Sequence, residues 1–285
     1  MAKKNKKRDK SKKRKKKLAT LADRHDLYQR SVQNPDFEVE LADSYFRRRV
    51  GRKPLTLLED FCGTALLCAE WVKSDPNREA TGVDISGEVL GWGREHNIVP
   101  LGEDAERVSL VEGDVRTVHE TKFDVVMALN YSYFCFQDRP TLRGYFEKVR
   151  ENLGEDGLFF LDLFGGWESV QELEEERKCD DFWYIWHQAS YDAIQSHFLG
   201  HIHFRFKDGS KMKKAFTYDW RLWNIRELRE LLEEAGFRHT EVLWEGEDED
   251  GEGNGVYRPR EKVGNDPGWN AYILASVDTP KKLRK

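Results

Sequence analysis

A run of small residues, Cys62, Gly63, Thr64 and Ala65, follows the apolar segment Leu55-Thr-Leu-Leu58 and the two acids Glu59 and Asp60. At a strand-to-helix junction such a turn brings backbone amides close to a nucleotide-derived ligand, and Gly63 is its key steric position. Asp84 ends the next apolar run, from Ala80, where a carboxylate can accept both hydroxyl hydrogens of a ribose. Asp114 follows the third run, Arg107 to Glu112, within reach of an adenine amino group, while Ile85 offers an apolar surface to the ring. Each feature alone reads equally as a turn or a cap. Their order on three successive strand ends points to one cleft for a cationic or neutral ligand that carries a ribose.

The elements that must position these residues follow a βαβαβ rhythm. The apolar runs at Leu55 to Leu58, Ala80 to Asp84 and Arg107 to Glu112 alternate with helical patterns through Trp71 and from Ser86 to His96. Phe123 to Leu129 and Gly157 to Leu163 are almost uninterrupted apolar strands, separated by a helix over Thr141 to Val149. Strands of that kind are covered on both faces, so an α/β architecture with a doubly wound, mostly parallel sheet is expected, with ligands at the carboxyl ends of the strands. Upstream, Phe37, Leu41 and Tyr45, with Ala42 and Phe46 beside them, predict an amphipathic helix over Asp36 to Arg49 that covers a cleft or sheet edge.

Later segments change character. His201 to Phe206 alternates, Asp208-Gly209 signals a turn, and Met212 to Trp220 alternates again, which predicts one hairpin with an aromatic face inserted over a pocket. Asn224 with Glu227 predicts a capping box for a helix that ends at Gly236. His239 to Trp244 and Asn270 to Val277 are strands joined through an acidic loop. They are expected to pair antiparallel, leaving one reversed strand in the sheet.

Charge divides the chain. Between Met1 and Lys17 stand twelve Lys or Arg against one acid, Asp9, so this tail carries +11 while the rest carries −16 of the net −5. The tail is expected to be disordered and able to contact polyanions such as RNA, and the acidic body to repel them. Cys62, Cys68, Cys135 and Cys179 form no metal-ligand or disulfide pattern. With no signal h-region and no apolar run of membrane-spanning length, a soluble, cytoplasmic protein is expected. The expected organisation is a basic tail at 1–17, a helical cap at 18–53, a main domain at 54–278 with a pocket insertion at 164–223, and a basic end at 279–285.

Four stretches resemble the class I S-adenosylmethionine-dependent methyltransferases: Leu57 to Ala65 (LLEDFCGTA), Thr81 to Ser86 (TGVDIS), Glu112 to Val115 (EGDV) and Phe123 to Asn130 (FDVVMALN). The likeness spans about residues 55 to 277 and includes the helix Leu228 to Phe237. It implies a seven-stranded sheet with a reversed C-terminal strand and S-adenosylmethionine as cofactor. It also implies that Glu59 supports the amino-acid end and the Cys62 to Ala65 turn approaches the methionyl part. Asp84 would bind ribose, Asp114 and Val115 flank adenine, and Leu129 and Asn130 lie near the sulfonium. Phe61 and Ala65 stand where the family usually has glycine. The G-x-G-x-x-G fingerprint of nicotinamide enzymes is absent.

For the acceptor side, Tyr131 and Tyr133 after the fourth strand and Trp167 after the fifth can enclose an apolar group or hold a cationic amine. Trp183, Trp186, Arg221 and Trp223 belong to the lid. Tyr131, His187 and His201 are candidate catalytic groups, and His203 a substrate contact. No metal site is expected, since the His201/His203 pair lacks a third ligand in the same pattern. Tyr28 can shield the cofactor and Arg30 pair with its carboxylate. The leading expectation is methyl transfer to an amine nitrogen of a small metabolite. The alternatives are methylation of RNA or an RNA-associated protein, with residues 3–17 as the contact, and a noncatalytic S-adenosylmethionine-binding protein. Oligomeric state is not legible.

Overall fold

The computed structural model describes residues 16–117, 122–249 and 253–278, so the expected basic segments, apart from Lys16 and Lys17, lie outside the described residues. Three helices open the chain: α1 (Leu18–Leu21), α2 (Arg24–Val32) and α3 (Pro35–Val50). The Asp23 side chain caps α2 by accepting from the His25 and Asp26 amides. Pro35 opens α3, and Gly51, at φ +85°, closes it. The alternating core follows: β1 (Thr56–Asp60), α4 (Leu66–Ser74), β2 (Glu79–Asp84), α5 (Gly87–Gly93), β3 (Val108–Glu112), β4 (Phe123–Ala128), α6 (Arg139–Asn152) and β5 (Leu153–Gly165).

Four antiparallel strands come next: β6 (Leu173–Lys178), β7 (Phe182–Asp192), β8 (His197–Phe206) and β9 (Lys211–Arg221). The chain ends with α7 (Ile225–Glu234), β10 (His239–Glu247), β11 (Gly253–Pro259) and β12 (Trp269–Ser276). The Asn224/Glu227 capping box at the start of α7 is formed in both directions. The main sheet runs in the order β11-β10-β12-β5-β4-β1-β2-β3. β3, β2, β1, β4 and β5 are mutually parallel, and β12 runs antiparallel to both β5 and β10. Strand order reverses between β1 and β4, and the crevice at such a switch point is where α/β sheets bind ligands.

Period-two alternation buries both faces of the parallel strands. Val125, Met127, Leu158 and Phe160 point to the layer of α3 and α4, where Ala42, Phe46 and Trp71 are fully buried. Val126, Phe159 and Leu161 point the other way, to Leu142 and Phe146 of α6 and Leu228 and Leu231 of α7. Each large side chain so buried contributes roughly 1.5–3 kcal/mol, which fixes the strand tips on a stiff base. No helix among the described residues is long and apolar enough to cross a membrane.

Two expectations need correction. The sheet has eight strands, not seven, because Gly253–Pro259 forms β11 antiparallel to β10. β11 is an edge strand, mostly exposed, and an edge tolerates the charges that make this region read as a loop. The insertion is a four-stranded antiparallel sheet rather than a single hairpin, with β6 and β7 added beside β8 and β9.

Asp60, at the end of β1, is fully buried and accepts a 2.8 Å hydrogen bond from the Tyr145 hydroxyl. Burial pushes its carboxyl up to about 7, against the opposing pull of Tyr145. Because folding raises this pKa above the ~4 of an exposed aspartate, the Asp60 contribution to stability is complete below about pH 4 and is lost as pH rises through about 7. Asp60→Asn removes that slope. Its thermal midpoint should therefore gain on the wild type between pH 5 and pH 8, and a constant difference across that range would refute the assignment.

Candidate active site

The turn after β1 is built on three alternate left-handed positions, Phe61 (φ +57°), Gly63 (φ +53°) and Ala65 (φ +54°), two of them without glycine. Hydrogen bonds hold it. The Cys62 amide donates to Val83 O at 2.9 Å and the Ala65 amide to Cys62 O at 2.8 Å. Asp84 joins two strand-end loops by accepting from the Gly63 amide and the Ser86 amide, each at 2.9 Å. Gly93 lets α5 lie against the turn, since a Cβ there would fall 2.3 Å from Thr64 O. Gln29 of α2 donates to Thr64 Oγ1 at 2.7 Å and Asn97 to Thr64 O at 2.8 Å.

Glu59 sits beneath the turn and accepts from the Cys68 amide and thiol at 3.2 and 3.1 Å. Burial pushes its carboxyl up to about 8, with the Cys68 bonds opposing. Beside Asp84, Ile85 is 75% exposed. The Gly113 amide donates to Asp84 O at 3.0 Å, which sets the following Asp114 next to the β2 tip. Asp114 is gripped by Arg116 (2.9 and 3.1 Å from Nε), whose guanidinium lies 5.4 Å from the Phe136 ring. Val115 and Leu129 are buried. Glu59, Cys62, Gly63, Thr64, Ala65, Asp84, Ile85 and Asp114 thus stand along the tips of three adjacent strands.

Next along the same edge, beyond β4, a cavity of about 560 Å³ opens between α2, α3, the tips of β4 and β5, and the inner face of the four-stranded sheet. Asn130 and Tyr131 both adopt left-handed conformations. Asp162 of β5 pins them, accepting from the Asn130 amide at 2.8 Å and the Tyr131 amide at 2.9 Å. Burial still pushes Asp162 up to about 7. The Tyr131 hydroxyl donates to Asn270 Oδ1 at 2.6 Å. Tyr28, Phe37, Tyr184, Trp186, Tyr218, Tyr257, Trp269 and Tyr272 supply aromatic walls. The lining carboxyls are Glu38, Asp162, Glu168, Glu175 and Glu245, against the single guanidinium of Arg177.

Several expected residues lie elsewhere. Tyr133 is fully buried and donates to Asp162 O at 2.7 Å. Trp167 is 46% exposed on a 3₁₀ turn whose Glu168 and Ser169 line the cavity in its place. Trp223 is buried with its indole N–H on Phe136 O, and Arg221 stacks on it and pairs with Glu227. Arg30 pairs with Asp26 and Asp181 rather than pointing into the cavity, whereas Tyr28 lines it. Strand alternation separates the lid residues. Tyr184, Trp186, Ile202, Tyr218 and Trp220 face the cavity, while Trp183, stacked by Arg205, and His187, His201 and His203 occupy the opposite face.

His187, His201 and His203 therefore line no part of the cavity. Glu174, His187 and His203 do bring donor atoms within 4.8 Å of one another. Yet the Lys214 amide donates to His203 Nδ1 at 2.7 Å, so the proton of neutral His203 is on Nε2, facing His187 Nδ1 at 3.2 Å. A metal-bound imidazole instead donates from its second nitrogen. The two histidines are hydrogen bonded to each other, an arrangement poorly suited to a metal.

Sequence reasoning missed Glu38, Asp162, Tyr257, Asn270 and Tyr272. Glu38 carried a readable signal, since it lies one turn before Ala42 and two before Phe46 on the buried face of α3.

No family model matches the sequence. The fold is the Rossmann-like fold of the class I S-adenosylmethionine-dependent methyltransferases. A solved S-adenosylmethionine-dependent methyltransferase from Clostridium acetobutylicum ATCC 824 is similar at TM-score 0.64 and 17% identity, covering 90% of this chain and 98% of that one. CalS10, an amino pentose methyltransferase from Micromonospora echinaspora, gives TM-score 0.61 at 13% identity, covering 88% and 95%. In sequence, the malonyl-(acyl-carrier protein) O-methyltransferase of Geobacter sulfurreducens (strain ATCC 51573 / DSM 12127 / PCA) is 28% identical over 199 residues. That match spans 69% of this chain and 61% of the relative.

Removing the Asp162 carboxylate leaves two amides without their acceptor. Asp162→Ala should cost about 2–3 kcal/mol in stability, with Asp162→Asn, which keeps one acceptor oxygen, losing about half of that in chemical denaturation. Wild-type stability in both variants would refute the pinning role.

Proposed function

We propose that the chain transfers a methyl group from S-adenosylmethionine to an amine nitrogen of a small acceptor. The observation that carries the reading is the cavity beside the β4 tip, aromatic in its walls and lined by five carboxyls against one guanidinium. An anionic acceptor, such as a carboxylate, finds one guanidinium to pair with among five carboxyls. A cationic or neutral amine meets aromatic faces and hydrogen-bond acceptors. Of the similar proteins one is named an O-methyltransferase and one a methyltransferase of an amino pentose, and the excess of carboxyls over cations in the cavity favours nitrogen.

The donor set fits the cofactor. Asp84 spends one lone pair of each oxygen on the Gly63 and Ser86 amides, which leaves two for ribose hydroxyls. The exposed Ile85 gives the base an apolar platform, and Asp114 keeps acceptor capacity beyond its Arg116 bonds for an amino group. The Gly63–Thr64 turn, with Gln29 across it, would hold the methionyl end, and Asn130 would lie near the sulfonium. When bound, S-adenosylmethionine supplies an electrophilic methyl on a positive sulfur.

The protein's part is orientation and exclusion of water. Burial and the Asp162 carboxyl push the Tyr131 hydroxyl well above its ordinary range, so it keeps its proton. With that proton on Asn270, the Tyr131 oxygen can accept from an acceptor N–H. Tyr131 thus positions the nitrogen and does not deprotonate it. The RNA-directed alternative rests on residues 3–17, of which only Lys16 and Lys17 are described, and the cavity suits a small molecule.

Calorimetry should show saturable S-adenosylmethionine binding that weakens about tenfold to a hundredfold in Asp84→Ala, equivalent to about 1–3 kcal/mol. With the labelled cofactor, methyl transfer should occur to members of a panel of amines and amino sugars and not to carboxylic acids. Binding without transfer to any panel member would support the noncatalytic alternative, and no binding by the folded chain would end the proposal.

A further inference from the structure

The Glu38 carboxyl enters the cavity from the first turn of α3. The residue is 9% exposed, and its carboxyl has no hydrogen-bond or ion-pair partner among the described residues. Its position is stiff, because Ala42 and Phe46, on the same face of the helix, are fully buried against the sheet.

The titratable groups facing Glu38 come from four elements: Tyr28 of α2, Glu59 of β1, Asp162 of β5 and Tyr272 of β12. Both other carboxyls are committed, Glu59 to Cys68 and Asp162 to the Asn130 and Tyr131 amides. The Tyr28 hydroxyl is hydrogen bonded with that of Tyr218. Glu38 is therefore the member of this group whose oxygens are uncommitted. Burial first, then Asp162 and Glu59, push its carboxyl well above the usual carboxylate range. The shift favours the protonated form over the carboxylate wherever no cation stands beside it.

A buried carboxyl without a partner is costly unless something that enters the cavity completes it. We propose that Glu38 is the acceptor-binding and proton-accepting group of this site: its carboxylate pairs with the ammonium of the small molecule and then takes one of its protons. This rests on the amine-directed reading above. An entering ammonium displaces the Glu38 proton to solvent and leaves an ion pair screened from water by the aromatic walls. In the proton-transfer step, one N–H bond breaks, an O–H bond forms at a Glu38 oxygen, and the electron pair stays on nitrogen as the lone pair that attack requires. Tyr131, accepting from a second N–H, orients that lone pair.

The test uses the full chain and methylammonium chloride, titrated calorimetrically near pH 7 in two buffers of different ionisation enthalpy. The wild type should bind saturably with net release of protons. Glu38→Gln should weaken binding about tenfold or more and release fewer protons than the wild type, while Glu38→Asp should retain proton release at reduced affinity. Absence of saturable binding, or equal affinity and proton count in Glu38→Gln, would overturn the assignment. If Glu38→Gln fails to fold, Glu38→Asp decides, since wild-type affinity together with wild-type proton release in that variant would overturn the assignment. In parallel, Glu38→Gln should leave S-adenosylmethionine affinity within about twofold. Loss of the ammonium result with cofactor binding intact refutes Glu38 alone, whereas cofactor binding lost with the ammonium result intact refutes the methyltransferase reading alone.

Discussion

Three carboxyl groups withdrawn from water, Glu38, Glu59 and Asp162, stand along the carboxyl edge of the sheet, Glu59 and Asp162 both acting on Glu38, and none has an ion-pair partner among the described residues. Taking an ionised carboxyl out of water costs far more than neutralising it, so each is displaced toward its protonated form, and the site sheds charge by holding protons. That constraint links stability to ligand choice. A positive group entering the edge replaces protons that the carboxyls otherwise retain. On the proposed reading, the sulfonium of S-adenosylmethionine and an acceptor's ammonium are both cations, and both suit a cavity lined by five carboxyls and the single guanidinium of Arg177.

The N-terminal helices bring the two halves of the site into register. On α2, Gln29 reaches the Thr64 turn while Tyr28, one residue earlier, lines the cavity beside Tyr218 of β9. Leu27 of the same helix packs with Phe182, Ile202, Phe204 and Phe206, so the four-stranded sheet holds α2 down. Arg177 of β6 donates to Ser31 O, and Arg30 pairs with Asp181 between β6 and β7. These cross-links explain why Arg30 is turned outward. A guanidinium that ties the lid to α2 cannot also reach a ligand carboxylate, and its fixed fork favours the paired carboxylates it already has.

The strand tips were legible because Gly63, Asp84 and Asp114 each end a short apolar run, and a parallel sheet places such ends together. The face of an added strand was not legible. Alternation shows that His187, His201 and His203 share one side of β7 and β8, but which side meets the core depends on partners distant in sequence. β6 and β11 escaped notice because edge strands carry exposed polar residues without a buried face to mark them. Helical spacing put Glu38 on the buried face of α3 with Ala42 and Phe46, but that this face opens onto a cavity becomes visible only when α3 is laid across β5.

The scarcity of glycine in the turn after β1 has a local explanation. A left-handed conformation costs a non-glycine residue roughly 1–2 kcal/mol, and Phe61 and Ala65 both adopt one. Ala65 is fully buried at the start of α4, where a small side chain fits the junction. The Phe61 ring lies 5.8 Å from that of Phe136 and 5.7 Å from that of Tyr145, and aromatic pairs of this kind contribute about 0.5–1.5 kcal/mol each beyond their burial. The contacts are large enough to offset the backbone strain. They also join the turn to Tyr145, whose hydroxyl holds Asp60, and to Phe136, over which Arg116 lies while gripping Asp114. In place of glycine's freedom, the turn is held by a side chain that connects the β1 tip to the β3 end of the cleft.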